Sequence, residues 1–337
     1  MNTIWENEGI RVQNVSVCYL CGTEGRLLYG GLRDRLFKAP GEWNFRQCPA
    51  VECGLVWLDP MPTEADIPKL YATYYTHQVE PDRIGSIGFR GLLSNKFRAA
   101  RKRAYHLLLH LTSLRRARFN VGTMYLANDK PGTLLEVGCG NGAFLARMRS
   151  RGWQVQGVEV DPTAAKIAEE TFGLHVNVGT LEEANYPNAS FDALTMNHVI
   201  EHVRDPIGLL RECRRVLKPE RKLIMITPNT KGIGHRRFRQ NWRGLEPPRH
   251  LHLFSQSSLK NITRQANFNA VETWTTPANA EVMALGSTDI QSSGRRDMSS
   301  LPRLSAELLS EWLQLRALAH YRQDPSSGDE VILRACK

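Results

Sequence analysis

No stretch of this 337-residue chain approaches the roughly 18 consecutive uncharged apolar residues that a membrane-spanning helix requires. The most apolar run, Leu107–Leu111, is interrupted by His110. The first eight residues, Met1 to Glu8, are acidic and lack the basic start and apolar core of an export signal. They predict a cytoplasmic chain whose seven cysteines stay reduced, as ligands or core residues rather than disulfides. There is no internal repeat, and 42% hydrophobic with 23% charged residues excludes a collagenous or wholly disordered chain. The length predicts one large domain with smaller attachments.

Charge is present but unevenly placed. Of a net +10, a surplus of +8 lies between Gln78 and Asn120, where ten Lys/Arg face only Glu80 and Asp82. Leu93, Phe97, Ala100, Ala104, Leu107, Leu108, Leu111 and Leu114 recur there at three- and four-residue spacing and predict one amphipathic helix with a basic outer side. Ahead of it stand a cysteine-bearing region, residues 1–62, and a tyrosine-rich helix-like stretch with Leu70, Tyr71, Tyr74 and Tyr75. Residues 63–130 therefore read as a helical, basic linker or cap. From Thr133 to about Ala270, short apolar segments such as Leu134–Val137, Val155–Val158, Phe191–Met196 and Lys222–Ile226 alternate with helical patterns. This alternation predicts an α/β fold, a doubly wound and mostly parallel sheet over 131–337, with a helical insertion at about 282–320.

Cys18-x2-Cys21 and Cys48-x4-Cys53 each precede a glycine and fit two knuckles donating four thiolates to a tetrahedral zinc. Four thiolates leave no open coordination position, so the role expected is structural, supplying folding energy that some sixty residues cannot gain by burial. Cys139, Cys213 and Cys336 read as core or incidental residues.

In Leu134-Leu135-Glu136-Val137-Gly138-Cys139-Gly140-Asn141-Gly142 a glycine turn joins a buried strand to a helix. Such a turn lies at the carboxyl edge of a parallel sheet, where nucleotide-like ligands sit. The glycines fall as G-x-G-x-G, without the G-x-G-x-x-G spacing that receives a pyrophosphate. Glu136 would repel phosphates and suit a ligand bearing sulfonium and ammonium groups. Glu159 ends the second strand, placed to accept hydrogen bonds from both hydroxyls of a ribose.

With these features in order, residues 130–275 resemble the class I S-adenosylmethionine-dependent methyltransferases. The resemblance extends to Gly179-Thr180-Leu181-Glu182, Ser190-Phe191-Asp192, Asn197-His198-Val199-Ile200-Glu201-His202, Arg215-Val216-Leu217-Lys218-Pro219 and Thr227-Pro228-Asn229. It implies a Rossmann-like sheet with S-adenosylmethionine as cofactor. Glu136, Gly138, Cys139, Gly140, Asn141 and Gly142 would line its methionine part, Glu159 with Val160 its ribose, Thr180 and Leu181 its adenine, and Asn197 would close the pocket. Many members carry Asp where Thr180 stands here. Related enzymes with an N-terminal zinc-ribbon-like module, similar to Cys53-Gly54-Leu55-Val56-Trp57-Leu58-Asp59-Pro60-Met61-Pro62, usually have C-x2-C as second knuckle, which would need a cysteine at Ala50. Either Cys48 reaches in over a longer loop or a ligand is lost.

Methyl transfer to a hydroxyl requires alignment and removal of one proton, for which a histidine is suited. The candidates are His198, His202 and His250, with His252 two residues on; on one strand His250 and His252 would face the same way. Lys231 to Arg243 combines glycines, aromatics and five Lys/Arg and reads as a lid over an anionic acceptor, or as a solvated loop. The stretch Pro247-Pro248-Arg249-His250-Leu251-His252-Leu253-Phe254-Ser255 resembles that of bacterial enzymes modifying sugars, surface glycans or secondary metabolites. The expected reaction is O-methylation of a small molecule or glycan, for example a nucleotide-linked sugar or polysaccharide precursor. Two alternatives stand beside it. A zinc ribbon with a basic segment would suit an RNA methyltransferase, although no Asn-Pro-Pro-Tyr/Phe loop follows the fourth strand. The basic helix around 90–120 could also bring the enzyme to the inner face of a membrane as a peripheral contact.

Overall fold

The computed structural model describes residues 4–71, 98, 100–105, 107–109, 111–292 and 304–337. The expectations placed on Tyr74, Tyr75, Leu93 and Phe97 lie outside the described residues. The N-terminal region is built from β1 (Ile4–Asn7), β2 (Ile10–Gln13), β3 (Arg26–Leu32), β4 (Trp43–Gln47), β5 (Val56–Asp59) and β6 (Met61–Pro62). β1, β2 and β6 make a small antiparallel sheet, and β3, β4 and β5 a second one. A 3-10 helix, Glu64–Tyr71, follows.

Beyond α1 (Leu114–Gly122) the alternation read from the sequence is realised as β7 (Thr133–Val137), α2 (Ala143–Arg149), β8 (Gln154–Glu159), α3 (Pro162–Phe172), β9 (Val176–Val178) and β10 (Phe191–Asn197). It continues with α4 (Pro206–Val216), β11 (Leu217–Pro228), α5 (Ile233–Phe238), β12 (His252–Leu253), α6 (Gln256–Gln265) and β13 (Glu272–Thr276). The chain ends with α7 (Ala280–Ser292), α8 (Leu304–Gln323) and β14 (Glu330–Cys336). The seven-stranded sheet has the order β13-β14-β11-β10-β7-β8-β9, and β14 alone runs antiparallel to its neighbours.

Local chemistry sets several of these boundaries. Asp161 and Asp205 each cap a helix that opens on proline, accepting the amides of Thr163 and Gly208 at 2.9 Å. Ser255 and Ser258 form a reciprocal capping box at the start of α6. Successive strand residues then point to opposite faces of the sheet. Leu135, Leu194, Leu223 and Met225 pack against Leu210 of α4 and Ile262 of α6, whereas Leu134, Ala193, Ile224 and Ile332 pack on the other face with Met148 of α2. Both faces are buried, as a parallel sheet requires.

The N-terminal region does not end cleanly at residue 62. β12 adds to β5 as the edge strand of the second sheet, through His252↔Trp57 and Leu253↔Val56. Cys18, Cys48, Leu55 and Trp57 also belong to the same apolar cluster as Leu135 and Leu194 of the main sheet.

The basic segment departs from the single amphipathic helix expected. Its described helical residues end before a turn at 111–113, and Leu114 opens α1. Leu107, Leu108 and Leu111 are exposed, while Tyr105 and Leu109 are buried. Arginines occupy the same inward side: Arg98 Nε meets Glu307 Oε2 at 2.7 Å, and Arg101 Nη2 meets it at 2.9 Å while also pairing with Glu311. Glu307 and Glu311 are buried on α8, and buried carboxylates need cationic partners, so charge complementarity overrides the leucine periodicity here. Part of the +8 surplus is thus neutralised inside the protein. Among the described residues, no helix is long and apolar enough to cross a membrane.

Arg249 joins the two regions. Its side chain is fully buried, with Nη2 at 2.8 Å from Asp34 Oδ2, Nε at 3.0 Å from Glu246 Oε1 and Nη1 donating to the Leu70 carbonyl at 3.1 Å. Asp34 in turn accepts the amides of Leu36, Phe37 and Ala39. Removing the guanidinium strands two buried carboxylates, so Arg249→Leu is expected to lower unfolding stability by about 3–5 kcal/mol in denaturant titration. A loss below about 1 kcal/mol would show that the junction does not depend on this charge.

Candidate active site

The strand–glycine-turn–helix unit forms the carboxyl edge of the sheet. Gly138, Gly140 and Gly142 all have positive φ, at +70°, +52° and +76°. Two of them are also sterically required. A Cβ at Gly138 would lie 2.4 Å from Val199 Cγ2, and one at Gly142 would lie 2.5 Å from Leu174 Cδ1. The loop therefore closes onto α3 on one side, and on the other it seats the segment that follows β10. Gly138 and Cys139 donate their amides to the Val158 carbonyl, at 2.8 and 3.1 Å.

Glu159 ends β8 and is buried beside this loop, with Oε2 accepting the Gly140 amide at 2.7 Å and Oε1 the Asp161 amide at 2.9 Å. Burial raises its pKa, partly offset by these two donors. Each carboxylate oxygen keeps a second lone-pair direction for a ligand hydroxyl. Glu136 is 4% exposed on β7, and its Oε2 meets no hydrogen-bond donor. Burial, and then the neighbouring Glu159, push its pKa well above the ordinary carboxylate range. An unpartnered buried carboxylate at a sheet edge fits a cationic ligand and opposes an anionic one.

The other expected cofactor residues lie along the same edge. Val160 is exposed just past β8, and Asn197 is exposed at the last position of β10. Thr180 follows β9 and forms a reciprocal turn with Glu183, its amide donating to Glu183 Oε2 at 2.7 Å and its hydroxyl accepting the Glu183 amide at 3.2 Å. Leu181 is buried. Asn141 is exposed in the glycine loop, and its Oδ1 accepts the Ala143 amide. Cys139 is buried, which raises its thiol pKa and keeps it from being a nucleophile.

His198 follows β10 with φ of +56°, an uncommon conformation for a side-chain-bearing residue. Its Nδ1 lies 3.1 Å from Glu201 Oε1 and its Nε2 3.0 Å from Glu330 Oε1. Thr227 donates its hydroxyl to Glu201 Oε2, and Asn279 Nδ2 donates to both oxygens of Glu330. Burial by itself lowers the His198 pKa, but the hydrogen bonds to Glu201 and Glu330 outweigh it and raise the value to about 10. His198 is therefore an imidazolium with both nitrogens engaged.

His202 and His250 behave oppositely. Burial is the largest cause lowering the pKa of each, to about 3 and about 4, which leaves them neutral. His202 Nδ1 is bonded to the Tyr71 hydroxyl at 2.9 Å and the Arg249 carbonyl at 3.2 Å, and His250 Nδ1 to the Gly244 carbonyl at 2.8 Å. The two rings meet edge-on at 4.6 Å between centroids. One ligand atom from each of Glu201, His202 and His250 lies within 4.8 Å of the others. His250 and His252 do not share a face as one strand would require, because β12 begins only at His252. The His252 ring packs instead on Tyr19 at 5.3 Å.

The cysteine quartet assembles. Cys18 and Cys53 sulfurs are 3.6 Å apart, those of Cys21 and Cys48 are 3.4 Å apart, and all four lie within 4.8 Å of one another. Cys48 therefore does reach the cluster across the longer spacing. Glu330 was not among the residues singled out from the sequence. It opens the last strand, over a hundred residues from His198, and no local spacing marks it.

His198 generates a pH prediction. A histidine whose folded pKa exceeds its unfolded value stabilises the fold fully below about 6.5, and this contribution is lost as pH rises through about 10. NMR titration is expected to show the His198 ring still protonated at pH 8, with Glu330→Gln lowering its midpoint by more than one unit. A ring that titrates near 6.5 in both proteins would overturn this assignment.

Comparison with known proteins adds a second line of observation. The ubiquinone biosynthesis O-methyltransferase of Xanthomonas oryzae pv. oryzae (strain PXO99A) is 36% identical over 102 residues, covering 28% of this chain and 43% of that protein. The protein of the same description from Xanthomonas campestris pv. campestris (strain B100) is 36% identical over 103 residues, with the same coverage. The chain thus spans less than half the length of these curated relatives. Among solved structures, a methyltransferase from Thermotoga maritima described as a possible histamine N-methyltransferase aligns over 70% of this chain and 95% of its own, at 21% identity and a TM-score of 0.45. Residues 110–273, which carry the glycine loop, Glu159 and the Asn197–His202 segment, match the profile of the family described as a methyltransferase domain.

Proposed function

We propose that this chain is an S-adenosylmethionine-dependent methyltransferase that acts on a hydroxyl of a small molecule or glycan and carries a structural zinc. The observation supporting the cofactor most directly is the pair of buried carboxylates at one sheet edge. Glu136 lacks a donor for Oε2, and Glu159 is fixed by the Gly140 and Asp161 amides. When bound, S-adenosylmethionine supplies an electrophilic methyl group on a sulfonium sulfur. Glu136 faces its cationic end, Glu159 with Val160 holds the ribose hydroxyls, Thr180 and Leu181 flank the adenine, and Asn197 closes the edge. The match of residues 110–273 to a methyltransferase domain agrees with this reading, as does the naming of the relatives as O-methyltransferases.

Around the acceptor, the three histidines divide the work. His198 is a fixed positive charge between Glu201 and Glu330, placed to stabilise negative charge developing on the acceptor oxygen. His202, neutral and half-buried beside Glu201, and His250, which meets its ring edge-on, form the uncharged wall next to it; a pKa of about 3 makes His202 a weak base, so His202 and His250 position rather than deprotonate the acceptor. The four cysteines bind zinc and tie the N-terminal sheet to the main core. Sulfur separations of 3.6 Å and 3.4 Å, with all four sulfurs within 4.8 Å, are near the roughly 3.8 Å edge of a tetrahedral tetrathiolate site with 2.3 Å bonds.

Calorimetry should detect S-adenosylmethionine uptake by the purified chain, and Glu159→Ala should weaken it by about 1–3 kcal/mol. Unchanged affinity in that variant would remove Glu159 from the site. Metal analysis should find about one zinc per chain, with Cys48→Ser losing most of it. A chain purified without zinc that neither takes it up nor gains thermal stability from it would refute the metal assignment.

A further inference from the structure

A cavity of about 380 Å³ opens between α5, α7 and α8, away from the glycine loop. Its space has a simple cause. Ala280 and Ala284 on α7 face Ala317 on α8, and Gly234 on α5 adds no side chain, so the helices cannot fill the gap between them. Phe238 and Leu313 complete an apolar interior. A volume of this size is within the usual range for small-molecule sites.

The lining carries cations from two separate helices. Arg236 and Arg237 of α5 and Arg316 of α8 line the cavity and are solvent-exposed. They are little neutralised: Arg236 comes no closer than 3.9 Å to Asp324, Arg316 lies over the Trp312 ring at 4.9 Å, and Arg237 has no ion pair among the described residues. Among the described residues, buried Asp329 is the one carboxylate of the lining, and its Oδ1 is occupied by the Gly234 amide. The cavity also adjoins the catalytic edge through the chain itself. Asp329 precedes Glu330, which holds His198, and Ala280 follows Asn279, whose amide donates to Glu330.

From this arrangement we infer that the cavity is a binding site for an amphipathic anion, separate from the carboxyl edge that holds Glu136 and Glu159. The anion's phosphate or carboxylate pairs with Arg237 and Arg316, and an apolar alkyl or aryl body lies on the alanine-lined floor. Guanidinium forks match such oxyanions in two-point geometry, and the apolar interior discriminates against a bare sugar. The segment Lys231–Arg243 serves this site as an ordered wall: His235, Phe238 and Trp242 are buried while Arg236 and Arg237 point out. The inference stands on the cavity and its lining and does not depend on the methyltransferase reading.

The test is calorimetry of the full chain with hexyl phosphate, 1-hexanol and inorganic phosphate as probes. Hexyl phosphate should saturate one site, with the two partial probes at least tenfold weaker. Arg237→Gln combined with Arg316→Gln, both at exposed positions, should weaken hexyl phosphate at least tenfold, and Ala284→Phe should block it by filling the floor. Equal binding of hexyl phosphate by the wild type and the arginine variant, or equal binding of inorganic phosphate and hexyl phosphate, would overturn the inference whatever Ala284→Phe does. S-adenosylmethionine uptake is measured on the same preparations. Uptake without hexyl phosphate binding would sink the cavity assignment alone, whereas hexyl phosphate binding without uptake would sink the methyltransferase reading and leave the cavity as an anion site.

Discussion

A carboxylate buried without a hydrogen-bond donor is costly, and the carboxyl edge of the main sheet is arranged around one. Glu136 sits in the middle of the sheet, on β7 between β10 and β8, with one oxygen unsatisfied and a second acid, Glu159, near enough to raise its pKa further. A fold tolerates such a group where a ligand supplies the missing charge. The glycine loop is the other half of the same device. With Val199 pressed against Gly138 and Leu174 against Gly142, the loop has no room for side chains and holds its backbone where Gly140 can donate to Glu159.

The N-terminal region and the C-terminal elements complete this edge rather than decorate it. Arg249 gathers Asp34, Leu70 and Glu246 into one buried joint, and its carbonyl, together with the Tyr71 hydroxyl, fixes the His202 ring. Glu330, from the last strand, holds His198 as an imidazolium and is itself held by Asn279 at the threshold of α7. The histidines are thus set in opposite charge states, one by two hydrogen-bonded carboxylates and the others by burial. Glu330 and Asn279, which lie outside the methyltransferase-like segment 110–273, therefore share with Glu201 inside it in setting the charge of His198.

Much of this was legible in the sequence where the signal is local. Strand–helix alternation, the G-x-G-x-G turn, Glu136 and the strand-end position of Glu159 each depend on a few adjacent residues, and the strands appear where the apolar segments stand. Contacts across the chain were not legible. The basic helix was misread because Arg98 and Arg101 face inward to carboxylates two hundred residues away, a pairing invisible to hydrophobic periodicity. For the same reason His198 read as a free base, since its second partner, Glu330, lies on the last strand. Cys48 could not be decided by spacing alone, because a four-residue knuckle closes only if the loop folds back, as Cys53 and Gly54 do by donating their amides to the Ala50 carbonyl. Arg249 sits within a stretch noted for its histidines, and nothing in its spacing distinguishes a buried joint from a surface cation.

The coupling of cofactor uptake to proton release tests the acidic edge most directly. Glu136 in the ligand-free protein is held toward its protonated form, and a bound sulfonium with its ammonium favours the carboxylate, so binding must expel a proton. Calorimetric titration of S-adenosylmethionine near neutral pH, repeated in buffers of different ionisation enthalpy, is predicted to show release of a sizeable fraction of a proton by the wild type and markedly less by Glu136→Gln. Heats independent of the buffer in both proteins, or no heat of binding at all, would contradict the account.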